Sequence, residues 1–170
     1  AQMLGKKLGG KLAAQMDADG AALYVHVLAE APAIAQNFES RDFAKVINQL
    51  RALADDTNKY FDLKAPWNLI KTDEEETRKV LTTTLNIFRF MAIALKPILP
   101  DYSDKVASLF GEGTYVWSDV RKTLLSGSVG EYAHLAVRIE ADKISAMVEA
   151  SKEEVKKVED TRAAKTTNAT

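Results

Sequence analysis

The stretch from Asp73 to Leu95 limits what this chain can fold into more than any other. Leu81, Leu85, Phe88, Ala92 and Leu95 recur at helical spacing, and Val80, Ile87, Met91 and Ala94 widen the stripe. A helix that is apolar on most of its sides must be surrounded by other helices, so the expected fold class is all-α, a helical bundle with this element at its centre. Thr72-Asp73-Glu74-Glu75 offers a capping box and places acids at the positive end of the helix dipole. Lys96-Pro97-Ile98-Leu99-Pro100 ends the helix. Arg89 is the one charge inside the apolar section, and it must either snorkel to the surface or pair with an acid from a neighbouring helix.

The remaining segments fit around such a centre. Leu4, Leu8 and Leu12 predict a helix over residues 1–16, weakened by Gly5, Gly9 and Gly10. Gly5 to Lys11 matches the first part of a phosphate-binding loop, but Leu12 stands where Ser or Thr should meet magnesium, and no strand precedes it. Asp17-Ala18-Asp19-Gly20 is turn and cap material. A helical pattern from Ala21 to Phe38 is interrupted at Pro32, which predicts a kink or break. Ser40 is the expected cap of the next helix, with Asp42 in its first turn and Phe43, Val46, Ile47, Leu50, Leu53, Ala54 and Thr57 inside. A short helix is expected from Ser103 to Phe110, then a loop over residues 114–137 with Trp117 packed inward. A last helix should run from Ala141 to Val158, with Ile144, Met147, Val148, Val155 and Val158 inside. Domain organisation follows: one bundle over residues 1–160 and a polar tail or linker over 161–170.

Composition removes several chemistries. With no cysteine among 170 residues there is no disulfide, thiolate metal site or cysteine nucleophile. His26 and His134 have no ligand partners at metal-binding spacing and read as packed or surface histidines. Asp55 and Asp56 are adjacent, so they do not share a helix face and read as a solvated helix end. No apolar run reaches membrane-spanning length, and no secretory signal opens the chain; a cytoplasmic location fits. A net charge of −1 gives no broad attraction for nucleic acid, so any such binding must be local.

One local candidate stands out between the helical pattern that stops near Tyr60 and the one that restarts near Thr72. Pro66-Trp67 lies there, flanked by Lys64 and Lys71. Pro66 fixes its own φ and biases Ala65 toward an extended conformation. The result is an indole at a helix joint beside cations, which is what stacking on an unpaired base needs. The other reading of the same residues is a tryptophan that closes the end of the core.

Residues 38–160 resemble the C-terminal anticodon-binding domain of methionyl-tRNA synthetases of the longer bacterial kind. The resemblance rests on ordered elements: Phe43-Ala44 through Asn58 and Tyr60 to Pro66-Trp67, then Phe88-Arg89 through Leu95-Lys96-Pro97-Ile98-Leu99-Pro100. Arg138-Ile139 and Val148-Glu149-Ala150-Ser151-Lys152 complete it. It implies a class Ia synthetase bundle in which Trp67, steadied by Pro66, stacks on the first base of a CAU anticodon. Lys64, Lys71, Lys6 and Lys7 are secondary RNA-contact candidates, while Asn58 and Tyr60 are expected to support the joint. The family's catalytic motifs do not occur here, so no catalytic or cofactor residue is expected in this chain, and alone it should not activate methionine or charge tRNA.

The resemblance also implies things beyond the 170 residues. A catalytic half would couple methionine to its tRNA using ATP with magnesium, with zinc in many members. The family's Asn-x-x-x-Arg pair should lie just before Ala1, and a further domain, found in many bacterial members, would make a homodimer. Alternatives are the anticodon domain of a valine, leucine, isoleucine or cysteine synthetase, and a helical protein-interaction module that binds no RNA.

Overall fold

The computed structural model describes residues 1–132, 134–135 and 140–153. Two units are distinguished, Ala1–Leu135 and Ala136–Thr170. The first is all-α, as expected. Its elements are α1 (Gln2–Leu8), α2 (Ala18–Ala29), α3 (Ala31–Glu39), α4 (Phe43–Lys64), α5 (Pro66–Leu69), α6 (Glu74–Leu95) and α7 (Pro100–Leu109), followed by a 3-10 turn over Trp117–Arg121.

The central position of α6 is observed: it packs against α1, α2, α4, α5, α7 and the 3-10 turn. Val80, Leu81, Leu85, Ile87, Phe90, Ala92, Ile93 and Ala94 are all buried along it. Four threonines on this helix, Thr77, Thr82, Thr83 and Thr84, donate to the carbonyl one turn back. Each hydroxyl proton is thereby satisfied within the helix, and Thr82 Oγ1 also accepts from Ala13 N, which is how polar side chains survive on a buried helix.

Arg89 pairs with an acid, as the second of its two options had it, but the acid comes from the loop after α7 and not from a neighbouring helix. It is 1% exposed, and its guanidinium grips Glu112 at 2.5 and 2.7 Å. Nη1 donates to the carbonyls of Asp119 and Lys122, and the group lies 5.1 Å from the centre of the Tyr115 ring. Asn86 makes a similar clasp one turn earlier: its amide donates to Leu124 O and its oxygen accepts from Leu124 N. Together they hold the 112–124 segment against α6. From that segment Tyr115 and Val120 enter the core. Trp117 does not; it is 37% exposed, against the expectation that it packs inward.

Several ends fall elsewhere than expected, each for a local reason. α1 stops at Leu8 because Gly9 and Gly10 adopt positive φ, 64° and 71°. A Cβ on Gly10 would sit 2.9 Å from Val129 O, so the crossing there requires glycine. Residues 10–13 then run beside 126–129, with Leu12 N donating to Gly127 O and Val129 N to Gly10 O. Leu12 is buried, but from extended chain rather than from the predicted helix. Gly5 lies within α1, so no phosphate loop forms.

The break at Pro32 is observed, between Ala29 and Ala31, with Pro32 in the first turn of α3. Ser40 ends α3 instead of starting α4, its hydroxyl donating to Gln36 O; the cap of α4 is Asp42, which accepts from Lys45 N. The cap of α6 is Asp73, accepting from Glu76 N, one residue later than the expected Thr72 box. Pro100 opens α7 rather than only ending α6, since its missing N–H costs nothing in a first helical turn.

In the second unit a helix covers 141–153, and Ile144, Met147 and Val148 on it are exposed. Val155, Val158, the Arg138-Ile139 pair and the tail at 161–170 lie outside the described residues.

Candidate nucleic-acid interface

The joint between α4 and α6 is built from its backbone outward. α4 ends at Lys64, and Ala65 adopts φ 42°, ψ 59°, a left-handed conformation and not the extended one that a following proline favours. The reason is that Ala65 also finishes α4: its N–H bonds to Phe61 O and Asp62 O, a turn that left-handed torsions make possible. An alanine there is strained by about 1–2 kcal/mol. Its own carbonyl then accepts from Asn68 N and Leu69 N, starting the single turn α5. Leu69 O in turn takes the N–H groups of Thr72 and Asp73 and leads into α6.

This geometry separates Pro66 from Trp67. Pro66 is buried, whereas Trp67 on the next residue is 44% exposed. The indole leans on Phe61, with ring centres 5.8 Å apart and planes at 55°, so one side is backed and the rest is open. Phe61 is itself packed against the core. A half-open ring beside a buried proline is not a core residue.

The flanking lysines differ from each other. Lys71 is exposed, with its ammonium 3.4 Å from Asn68 Oδ1. Lys64 is committed within the fold: Nζ lies 2.8 Å from Asp17 Oδ2 and 2.7 Å from Asp19 Oδ2. Tyr60, one turn earlier on α4, donates to Asp17 Oδ1 at 2.5 Å. Asp17 caps α2, so the start of α2 is tied to the last turn of α4. Gly20 makes this closeness possible, since a Cβ there would overlap Thr83 Oγ1 and Asp17 Oδ1 and lie 2.8 Å from Tyr60 Oη.

The electrostatics follow from these contacts. Burial pushes the Asp17 carboxyl up, but the hydrogen bonds from Lys64 and Tyr60 and the lysine charge outweigh it, so the group sits below the usual carboxylate range. The Lys64 ammonium is raised by its bonds to Asp17 and Asp19. Tyr60 is raised, chiefly by burial and then by its bond to Asp17.

Lys6 and Lys7 are exposed on α1. Arg78, early in α6, donates to the carbonyls of Leu8 and Lys11, while Asp73 at the start of α6 bonds back to Leu69. The end of α1 and the Pro-Trp turn therefore flank the same end of α6. Asn58 is exposed on α4 and Tyr60 is buried beneath the joint. Reading the sequence missed Asp17, Asp19, Gly20, Phe61 and Thr83. The Asp17 to Gly20 stretch was legible as a cap, but its partners lie 43 and 45 residues away, and nothing local signals them. Among the described residues no group of three or more His, Cys, Asp or Glu could hold a metal.

Comparison with known proteins adds relatives to this geometry. The family profile described as the anticodon binding domain of methionyl tRNA ligase matches residues 11–137. The methionine–tRNA ligase of Bdellovibrio bacteriovorus is 55% identical over 148 residues, which are 87% of this chain and 21% of that protein. That of Chromobacterium violaceum is 35% identical over 166 residues, 96% of this chain and 24% of the other. The chain thus spans under a quarter of the length of these relatives. Among solved structures, apo Mycobacterium tuberculosis methionyl-tRNA synthetase superposes with a TM-score of 0.73 at 19% identity, over 82% of this chain and 30% of that one. The same enzyme in complex with methionyl-adenylate gives 0.74 at 21%, over 80% and 28%. Those two likenesses concern the fold alone.

Proposed function

The chain belongs to the family of methionyl-tRNA ligase anticodon-binding domains, and from that premise we propose that it grips the CAU anticodon of methionine tRNA within a longer methionine–tRNA ligase. In this reading Trp67 is the platform for the first anticodon base and Pro66 holds the ring before RNA arrives. Anticodon bases are unpaired and can be splayed out, and each gains roughly 1–3 kcal/mol by stacking on an aromatic ring. A ring already fixed loses little freedom on binding. Stacking tolerates any base, so Trp67 supplies affinity while nearby hydrogen bonds supply discrimination. Lys71, Lys6 and Lys7, exposed and near the same end of the bundle, supply attraction for phosphates.

The rest of the protein's work lies outside this chain. A catalytic domain of the same polypeptide would activate methionine with ATP and magnesium and transfer it to the tRNA, in the cytoplasm. Zinc, where used, would belong to that domain, and a homodimer would form through another segment. This chain alone would neither activate methionine nor charge tRNA.

The observation that carries the reading is the half-exposed Trp67, standing on a buried proline at a helix joint. It is tested by comparing Trp67→Ala and Trp67→Phe in the full-length ligase. Trp67→Ala should weaken tRNA binding roughly ten- to a hundredfold, the equivalent of one stacked base, with little change in melting temperature. Trp67→Phe should retain part of the binding. Lost stability with unaltered affinity in the folded fraction would overturn the assignment.

A further inference from the structure

We infer that the Asp17–Lys64–Asp19 latch fixes the orientation in which Trp67 meets RNA, and that Lys64 is a positioning residue and not a phosphate contact. The inference rests on Trp67 being the RNA platform. Its geometry is independent of that reading.

Whatever holds the last turn of α4 sets the direction of Trp67, because Ala65 alone separates the end of α4 from Pro66. Two side chains near that end of α4, Tyr60 and Lys64, stand at i and i+4 and so share a face. They meet the two oxygens of one carboxylate: Tyr60 Oη on Asp17 Oδ1 and Lys64 Nζ on Asp17 Oδ2. The body of α4 is held by its buried face, and at its end a hydrogen bond from Tyr60 and an ion pair from Lys64 converge on one planar group, which limits twisting there. Asp19 doubles the hold on Lys64, and the ammonium also lies 5.9 Å from the centre of the Tyr60 ring.

The anchor itself is buried and closely packed. Asp17 has a side chain only 5% exposed, and Gly20 one turn on is seated against Thr83 of α6 without room for a Cβ. Rotation at the end of α4 is therefore measured against the central helix, and so is the indole three residues beyond Lys64. A lysine serving RNA would have to leave both carboxylates, abandoning Asp17 buried without its cation. Preorganised groups lose much of their effect when displaced by even 1 Å.

The test uses the full-length ligase and its tRNA. Affinities of Lys64→Met, Lys64→Arg, Asp19→Asn, Trp67→Ala and the Lys64→Met/Trp67→Ala pair are measured at several salt concentrations, below every variant's melting temperature. Lys64→Met should weaken binding roughly tenfold, with the slope of log affinity against log salt unchanged. In the Trp67→Ala background Lys64→Met should have no further effect, since it acts through the ring. Lys64→Arg, which keeps the cation, should recover most of the loss, and Asp19→Asn should reproduce a milder form of it. Additive losses with a salt slope smaller by about one would show a phosphate contact and overturn the latch. So would full affinity in Lys64→Met when Trp67→Ala is weakened. If Trp67→Ala itself binds normally, the platform reading fails, which is a separate outcome.

Discussion

Asp17, Tyr60 and Lys64 are coupled in their ionisation as well as their geometry, and the signs give a pH profile. Asp17 is depressed in the folded chain, so its contribution is fully present above the ordinary carboxylate value near pH 4 and is lost as pH falls through its lowered one. Lys64 is raised, so its contribution is complete below about pH 10 and disappears as pH climbs through its folded value. Tyr60 acts in the same direction: the unfolded phenol ionises from about pH 10 while the buried one stays neutral, and folding stability falls. The other charges near this cluster, Asp19 and Glu76, both favour the protonated forms of Lys64 and Tyr60 respectively. Thermal midpoints should therefore be level between about pH 5 and 9 and drop on both sides, and Lys64→Met should flatten part of each limb. Melting curves across that range check it; a profile identical to wild type in Lys64→Met would show that the cluster does not govern it. Reading residues alone singled out the exposed Trp67 because Pro-Trp between two helical patterns is a local signal. It could not find the latch, whose halves are joined only by the packing of α2 on α4 and α6.

At the scale of elements, the chain was most legible where a pattern was long. The stripe on α6 located the centre of the bundle, and Pro32 located the break between α2 and α3. Ends were less legible. Ser40, Thr72 and Pro100 each sit beside a real boundary, but Asp42 and Asp73 do the capping and Pro100 begins a helix rather than terminating one. Capping depends on which oxygen reaches which N–H, and neighbouring Ser, Thr and Asp residues compete for the role. Arg89 left two outcomes open because its acid partner, Glu112, arrives from beyond α7. The consequence for α6 is measurable. Leu85 is buried on the helix that packs against α1, α2, α4, α5, α7 and the 3-10 turn, so Leu85→Ala should cost about 2–5 kcal/mol. Urea denaturation reports it, and an unchanged midpoint would contradict the central placement.

At the scale of the whole unit Ala1–Leu135, the end that carries Trp67 is continuous with the core: α5 and α1 both rest on the helix that organises the bundle. Sequence patterning reached this arrangement in outline, since all-α class and helix order follow from periodicity. Crossings such as residues 10–13 against 126–129 did not, because two glycines and a few backbone hydrogen bonds make them. Ala65 ties local torsion to global behaviour. Its left-handed backbone would suit glycine, yet glycine would also let the turn wander. Ala65→Gly should raise folding stability by several tenths to about 1 kcal/mol, the relief of strain less the added freedom of the unfolded chain. It should at the same time weaken tRNA binding, and paired melting and binding measurements would show whether the two move oppositely. If they do, robustness alone would favour glycine at this position, and the alanine trades a sturdier fold for a tighter grip on RNA.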